Sequence, residues 1–248
     1  MGNLLRKSPN TLEQAGGHEG SMTTKGSKVF KKAKLEEKQF YQWVFDNQSN
    51  RTLQELKFFI PKYFGTLQNT LVLENLLHGL HYPNIMDCKL GKVTWTEDRE
   101  ETSKKRQQEL SQTTTTGTLG FRISGIVIKD SSGTVIETWN KNSLSKITSE
   151  NIHQEFLKVV ALEKAIDPNT VENIIIETQK ILKWFETQQE LKFLASSLLF
   201  LVDKQCKTQV KLIDFAHVSD SKGETDHNVI EGIRNIIATW QEVKMLCK

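Results

Sequence analysis

The stretch Pro83-Asn84-Ile85-Met86-Asp87-Cys88-Lys89-Leu90-Gly91 places two charged side chains in an apolar segment. Pro83 disfavours helix for the residue before it, and the segment is predicted to be extended. On a strand, Asp87 and Lys89 point to the same side because side chains alternate. A carboxylate can hold ribose hydroxyls, and an ammonium can meet a phosphate and the charge that develops in phosphoryl transfer. The spacing alone fits an exposed ion pair better, so the functional interpretation depends on the rest of the chain.

The composition indicates a globular protein. The chain has 248 residues, of which 37% are hydrophobic and 25% charged, enough for one domain or two packed lobes. Its net charge of +3 is smaller than nucleic-acid binding usually requires, and we expect no nucleic-acid partner. Three scattered cysteines favour a reducing compartment, and no apolar run reaches the roughly 18 residues of a membrane span. We therefore expect a cytoplasmic or nuclear protein, and a monomer because no heptad run appears.

The pattern of apolar residues predicts an α+β fold in two lobes, divided near residue 77. The N-terminal lobe, residues 1–77, is predicted to hold a helix from Leu35 to about Phe45 and strands at Leu56–Phe64 and Thr70–Leu77. The C-terminal lobe, residues 78–248, combines strands with three amphipathic helices. Gly16 and Gly17 suggest a turn, but they match neither the P-loop nor the GxGxxG pattern.

A second candidate group lies at the end of a predicted hairpin. Asp214 follows an apolar strand, where a lone carboxylate is costly unless it holds a cation or starts a turn. If the four residues 204–207 form the hairpin loop, Ser197 lies opposite Asp214. A hydroxyl beside a carboxylate suits Mg²⁺, which takes a few protein oxygens and completes its shell with phosphates and water.

Two groups of cations are compatible with phosphate. Lys31 closes a strand just before Glu36 and Glu37 of the next helix, the arrangement of a nucleotide-binding lysine beside a helix glutamate. Lys104, Lys105 and Arg106 lie on a predicted helix that is polar all round, and such a run is also typical of a solvated face.

In order and spacing, these motifs resemble the inositol polyphosphate kinase family. The family pattern Pro-x-x-x-Asp-x-Lys-x-Gly is met at residues 83–91. It is followed by Thr118-Leu119-Gly120-Phe121-Arg122, then by Ser196-Ser197-Leu198-Leu199 and by Ile213-Asp214-Phe215-Ala216-His217. Any one of these motifs is weak, whereas several in order are specific.

The resemblance implies a two-lobed, protein-kinase-like fold, related to ATP-grasp, with ATP and Mg²⁺ in the cleft between the lobes. It implies a role for each matching residue. ATP would be bound by Lys31 at the phosphates, Glu74 and Leu76 at the adenine, and Asp87 at the ribose. Lys89 and Asp214 would be catalytic, and Ser197 and Asp214 would hold the metal. The inositol phosphates would meet Lys89, Lys92, Lys104, Lys105, Arg106 and His217.

The subfamily is harder to predict. Only a short helix separates Gly91 from Thr113, and residues 113–120 are similar to the hexakisphosphate-kinase version of that segment. We therefore expect an inositol hexakisphosphate kinase that makes a pyrophosphate, with a multikinase acting on tris- and tetrakisphosphates as the alternative. A protein of a different class, one that binds inositol phosphates or RNA without turnover, is disfavoured by the intact Lys31, Asp87 and Asp214.

Overall fold

The computed structural model describes residues 20–96, 100–139, 147–161 and 166–247. The glycine turn predicted at Gly16 and Gly17 lies outside these residues. The elements in chain order are β1 (Met22–Lys25), β2 (Lys28–Lys32), α1 (Leu35–Asp46), α2 (Arg51–Leu56), β3 (Tyr63–Leu67), β4 (Thr70–Glu74), β5 (Asn84–Leu90), α3 (Glu101–Thr113), α4 (Thr115–Leu119), β6 (Phe121–Lys129), β7 (Val135–Trp139), α5 (Ile152–Val160), α6 (Pro168–Thr187), β8 (Leu191–Phe193), β9 (Ser197–Val202), β10 (Thr208–Ile213), β11 (Val218–Asp220) and α7 (His227–Leu246).

The first lobe is built on an antiparallel sheet with strand order β1-β2-β4-β3. Lys31 on β2 lies opposite Leu71 on β4, and alternation turns both side chains to the same face. Leu71 joins the same apolar core as Phe40 and Val44 of α1. The helix that carries Glu37 therefore lies on the face toward which Lys31 points.

The second lobe is built on an antiparallel sheet with strand order β10-β9-β5-β6-β7, and β8 and β11 form a separate small sheet. On β5, Met86, Cys88 and Leu90 belong to the main apolar core, which also contains residues of α5, α6 and α7. Asp87 and Lys89 alternate with them and occupy the opposite face. We call this opposite face of the large sheet the cleft face.

The two longest helices of the described residues begin at aspartate caps. Asp167 accepts hydrogen bonds from the backbone N–H groups of Asn169 and Thr170 at the start of α6, and Pro168 takes the first helical position. Asp226 caps α7 and also accepts from the N–H of Phe193, at 2.8 Å. In the described part of the chain, no helix has the length and apolar character needed to cross a membrane.

Two strand predictions are wrong in detail. The predicted strand Leu56–Phe64 contains the end of α2, a turn and only the first residues of β3, because Asn50 caps a short helix by accepting from the N–H of Leu53. The hairpin register is displaced by one residue, so that Ser197 pairs with Ile213 and not with Asp214. The predicted boundary near residue 77 falls between β4 and β5. It stays a prediction, since both lobes contribute to one continuous core.

Candidate functional site

Lys31 joins the two lobes through a pair of short ionic contacts. Its Nζ atom lies 2.7 Å from Oε1 of Glu37 on α1 and 2.7 Å from Oδ1 of Asp214 beyond β10. Burial opposes the charge on Lys31, but Asp214 and Glu37 raise the pKa of its ammonium far above the ordinary value. Lys31 is therefore a fixed cation held by a carboxylate from each lobe, and its predicted pairing with Glu37 is confirmed.

Asp214 lies on the floor of the cleft. Protein surrounds it on most sides, yet 39% of its side-chain surface is accessible to solvent. Burial alone would raise the pKa of Asp214, but the charges of Lys31 and Lys89 lower it below the usual value of an aspartate. An ionised carboxylate with an accessible edge can take a cation ligand.

The backbone at Asp214 is held in an uncommon conformation. Its φ angle is +66°, a left-handed value that costs energy for a residue other than glycine. The next residue, Phe215, is buried between Phe40, Tyr41 and Phe193, with ring centroids 4.9, 5.4 and 6.0 Å away. Aromatic pairs of this kind contribute about 0.5–1.5 kcal/mol each beyond their buried area. This packing holds the Asp214 loop against α1, the helix that carries Glu37.

Ser197 begins β9 beside this loop. Its strand pairs with β10 so that Ile213 lies opposite Ser197, and Asp214 follows one residue later. The predicted pairing of Ser197 with Asp214 was wrong because the loop has five residues, not four. Asp203 stays paired with Lys207 by a backbone hydrogen bond, and Cys206 takes a left-handed conformation between them.

Asp87 and Lys89 point from β5 into the cleft near Asp214. Asp87 is buried and accepts a 2.5 Å hydrogen bond from the hydroxyl of Ser124 on β6. Burial and the charge of Asp214 raise the pKa of Asp87, against the opposing influence of Lys89 and Ser124. The hydroxyl of Ser197 also opposes this rise, although it lacks the geometry of a normal hydrogen bond. Asp87 and Asp214 are thus neighbouring carboxylates with pKa values shifted in opposite directions.

Lys89 is fixed at its ammonium group. Its Nζ atom donates to the carbonyl of Ala195 at 2.9 Å, and Ala195 itself has a left-handed φ angle of +57°. On the neighbouring strand β9, Ser197 lies directly opposite Lys89. The structure therefore brings together Lys31, Asp87, Lys89, Ser197 and Asp214 from the predicted set.

Two further polar residues belong to this cluster and were not predicted as site residues. Arg122 on β6 lies opposite Lys89, and its Nη1 atom donates to Thr116 at 3.0 Å. Burial lowers the pKa of Arg122, and the nearby charge of Asp87 opposes that change. Ser124 binds Asp87. The sequence contains a pattern that could have identified both residues, because polar residues alternate with apolar ones at the start of the predicted strand 121–128.

The cleft face is charged at one end and apolar at the other. Beyond the charged end, Leu76, Ile85, Val127 and Leu201 form an apolar cluster separate from the main core. Among the described residues, the backbone N–H and C=O of Leu76 make no hydrogen bond. A flat apolar surface beside unpaired backbone groups is suited to a purine ring. At the second predicted adenine contact, Glu74, the N–H donates to the carbonyl of Lys62 at 2.9 Å.

The residues predicted to bind the inositol phosphate do not form one cluster like that around Lys31 and Asp214. Lys92 is paired with Glu231 of α7 at 2.6 Å, and Lys105 lies 4.0 Å from Glu101 on its own helix. Arg106 is exposed and Lys104 is partly exposed on α3. His217 accepts a hydrogen bond at its backbone oxygen from Leu194, which braces the Asp214 loop. Lys31 contacts Glu37 and Asp214, whereas Lys105 lies near Glu101 of its own helix.

The donor set at Asp214 fits a divalent cation that also binds a nucleotide. Ser197 is fully buried, and its hydroxyl has no hydrogen-bond partner among the described residues. It therefore carries an unused oxygen beside an ionised carboxylate. Within the same residues, no three His, Cys, Asp or Glu side chains are grouped as a metal site. Such a sparse oxygen set matches Mg²⁺, which completes its shell with phosphates and water.

An open groove of about 1170 Å³ lies elsewhere, between α2, α6 and β10. Its walls include Phe58, Trp184 and Val210, and none of the predicted site residues lines it. The chemistry described above is confined to the cleft between the two large sheets.

Comparison with known proteins agrees with this geometry. A sequence model of the inositol polyphosphate kinase family matches residues 70–241. An inositol polyphosphate multikinase of Schizosaccharomyces pombe is 33% identical over 190 residues, covering 70% of this chain and 68% of the relative. Inositol polyphosphate multikinase beta of Arabidopsis thaliana is 29% identical over 198 residues, covering 70% of this chain and 66% of the relative. The matches thus span about two thirds of these relatives.

A solved structure shows the same architecture. The inositol phosphate multikinase Ipk2 of S. cerevisiae, determined with ADP and Mn²⁺, superposes with a TM-score of 0.76 at 25% identity. The superposition covers 88% of this chain and 99% of that one, and the predicted two-lobed, kinase-like fold is confirmed. The chain belongs to the inositol polyphosphate kinase family, a family of ATP-dependent phosphotransferases.

Proposed function

We propose that this protein transfers the γ-phosphoryl group of Mg-ATP to a hydroxyl of an inositol tris- or tetrakisphosphate, as a multikinase. The observation that carries the proposal is Lys31, held at 2.7 Å by Glu37 and by Asp214, with the unpartnered hydroxyl of Ser197 on the strand opposite the end of β10. That arrangement supplies a cation for phosphates and oxygen ligands for a metal at one point of the cleft.

The cleft provides a place for each part of ATP. The purine lies on the apolar cluster of Leu76, Ile85, Val127 and Leu201, where the backbone of Leu76 is available for hydrogen bonds. Asp87 accepts from the ribose hydroxyls, and Lys31 contacts the phosphates. The ADP and Mn²⁺ complex of the S. cerevisiae relative supports a nucleotide and a divalent cation in this cleft.

Ser197 and Asp214 would hold the metal, which when bound neutralises phosphate charge and orients the transferred group. Lys31 also lies against Asp214 and offsets its charge. The site holds three cations, Lys31, Lys89 and Arg122, and three carboxylates, Glu37, Asp87 and Asp214. This balance lets the charged residues stay close together, and the cation that enters with the nucleotide offsets part of the phosphate charge.

The inositol phosphate binds at the polar end of the cleft face. Lys89 lies between Ser197 on β9 and Arg122 on β6, where it contacts both the substrate and the transferred phosphoryl group. Arg122 contributes a second fixed cation, and Lys104, Lys105 and Arg106 of α3 add positive charge. Each substrate monoester carries about −1.5 to −2 charges, which explains the need for several cations. Since the phosphoryl group passes between two bound molecules, positioning and charge neutralisation supply the catalysis.

The comparisons favour a multikinase over the hexakisphosphate kinase that the segment 113–120 suggested. The relatives described above are multikinases, and the S. cerevisiae structure carries the same name. The compact α3 does not by itself separate the two subfamilies, because both lack a large insertion at this point. We therefore assign the monoester-forming activity to this protein and not the pyrophosphate-forming one.

The test is to incubate the protein with Mg-ATP and each of the tris-, tetrakis- and hexakisphosphates, and to resolve the products by anion-exchange chromatography. We expect tris- and tetrakisphosphates to gain phosphates and hexakisphosphate to remain unchanged. A product more acidic than hexakisphosphate would instead identify a pyrophosphate-forming kinase. Binding of inositol phosphates or RNA with no product from any substrate would contradict the proposed enzyme.

A further inference from the structure

Lys92, which follows the Asp87-Cys88-Lys89 strand, is not a free cation. Its Nζ atom lies 2.6 Å from Oε1 of Glu231 on α7, and both side chains are about half exposed, at 41% and 47%. An acidic side chain is unexpected at the end of a cleft that receives an anion. The pair is too exposed to stabilise the fold by much, since exposed ion pairs contribute little.

Backbone contacts fix Glu231 in this position. Gly120 and Gly232 are in such close contact that a Cβ atom on Gly232 would lie 2.2 Å from the Gly120 carbonyl. Asn228, one turn earlier on α7, both accepts from and donates to the backbone of Val93, each at 3.0 Å. The first turns of α7 are therefore attached to segment 91–94, and these contacts hold the backbone of Glu231 within side-chain reach of Lys92.

The same segment is attached to the basic helix α3. Ser111 donates to the carbonyl of Lys92 at 3.0 Å, and Thr94 donates to Gln107 at 2.9 Å. Gly120, which touches α7, lies two residues before Arg122 of the cleft face. Glu231 thus lies beside Lys92, on a helix whose first turns contact the segment that also holds the C-terminal half of α3.

We propose that Glu231 limits how many phosphates a substrate of this enzyme can carry. Its carboxylate neutralises Lys92 and repels an additional phosphate, so that tris- and tetrakisphosphates bind with less repulsion than hexakisphosphate. This inference rests on the proposed function and gives the multikinase preference a specific residue. Because Glu231 is half exposed and screened by solvent, the selectivity it provides is about three- to tenfold, not absolute.

The test measures selectivity in Glu231→Gln, which keeps the shape of the side chain and removes its charge. We expect the affinity for hexakisphosphate, measured by calorimetry, to rise about three- to tenfold relative to that for trisphosphate, and the difference to shrink in high salt. Lys92→Gln should weaken binding of all inositol phosphates. The matched control is Glu186→Gln. This change breaks the 2.8 Å ion pair between Glu186 on α6 and Arg234 on α7, and it should leave the ratio of the two affinities unchanged.

An unchanged ratio in Glu231→Gln, or an equal change in Glu186→Gln, would overturn the proposal. Failure of the proposed function is distinguishable, because the unmodified protein would then phosphorylate no tris- or tetrakisphosphate, or would convert hexakisphosphate to a more acidic product. If the unmodified protein is active and Lys92→Gln does not alter binding, the function stands and the role of the Lys92–Glu231 pair is rejected.

Discussion

The two ends of the charged cleft are built in different ways. At the metal end, Lys31, Glu37 and Asp214 are linked by 2.7 Å contacts, and the Asp214 loop is locked by a buried aromatic cluster. At the substrate end, α3 has no buried residue and is attached through a few side-chain hydrogen bonds. Phosphoryl transfer requires atoms to be placed within fractions of an ångström, whereas binding of a many-charged ring tolerates looser cations.

This contrast makes the effect of a substitution depend on its location. Changes at the metal end should lower turnover strongly because geometry is lost. Changes at the substrate end should mainly alter the affinity for the inositol phosphate. Each exposed cation there contributes only a small part of the binding energy, because solvent and salt screen its charge.

The largest effect is expected for Asp214→Asn. Loss of the carboxylate that we propose binds the metal should lower kcat by about a thousandfold or more, while the fold persists. The measurement is steady-state turnover together with circular dichroism. Asp220→Asn is a matched control, since Asp220 lies on β11 in the same region and is exposed. Turnover within threefold of the unmodified enzyme in Asp214→Asn would remove Asp214 from the metal site.

Lys31→Met should lower turnover by about a hundredfold and also weaken the fold. It leaves Glu37 and Asp214 without their shared cation, at a cost of about 1–2 kcal/mol in the free energy of unfolding. Adding Glu37→Gln should restore part of the stability but none of the activity. Lys32→Met, at the exposed end of the same strand, is the control for both measurements. Recovery of activity in the double variant would show that Lys31 has only a structural role.

Replacing Lys104, Lys105 and Arg106 together by glutamine should raise KM for the inositol phosphate about tenfold and change kcat little. The KM for ATP and the free energy of unfolding should stay the same, because α3 is exposed and remote from the apolar end of the cleft. Lys180→Gln with Lys183→Gln on α6 is a control with a similar loss of surface charge. An equal rise in KM for ATP would contradict the separation of the two ends.

The smallest effect concerns stability and has an unusual sign. Burial and Asp214 raise the pKa of Asp87, so its charge destabilises the folded state above the unfolded pKa of about 4. Asp87→Asn should therefore increase the free energy of unfolding at pH 7 by about 1 kcal/mol, with the gain fading as the pH falls below 4. Activity should fall because the proposed contact of Asp87 with the ribose is lost. Urea unfolding of both proteins at pH 7 and below pH 4 measures this change in stability. A lower free energy of unfolding for Asp87→Asn at pH 7 would contradict the prediction.

Much of the metal end could be predicted from sequence because it lies in short motifs. Asp87 and Lys89 are two residues apart on one strand, and alternation alone places them on one face. The contact of Lys31 with Asp214 spans 183 positions, and only the ordered motifs of the family pointed to it. The register of Ser197 was missed by one residue, because a buried Asp203 and a left-handed Cys206 lengthen the loop in a way that residue types do not reveal.

The rest depended on tertiary contacts. The helical pattern predicted α3 and its cations, but where that helix attaches is decided by Lys92, Ser111 and Gln107. The short helix α2 was missed although Asn50 is a good cap, because the apolar residues after it suggested a strand. Arg122 belongs to one of the family motifs, but only its position opposite Lys89 on the adjacent strand identifies it as a candidate site residue.

Binding of Mn²⁺ in the presence of ADP, followed by electron paramagnetic resonance, tests the central claim most directly. The unmodified protein should bind one nucleotide-dependent Mn²⁺ ion, Ser197→Ala should bind it more weakly, and Asp214→Asn should lose it. Equal Mn²⁺ binding in all three proteins would contradict the assignment of Ser197 and Asp214 as the metal ligands of this kinase.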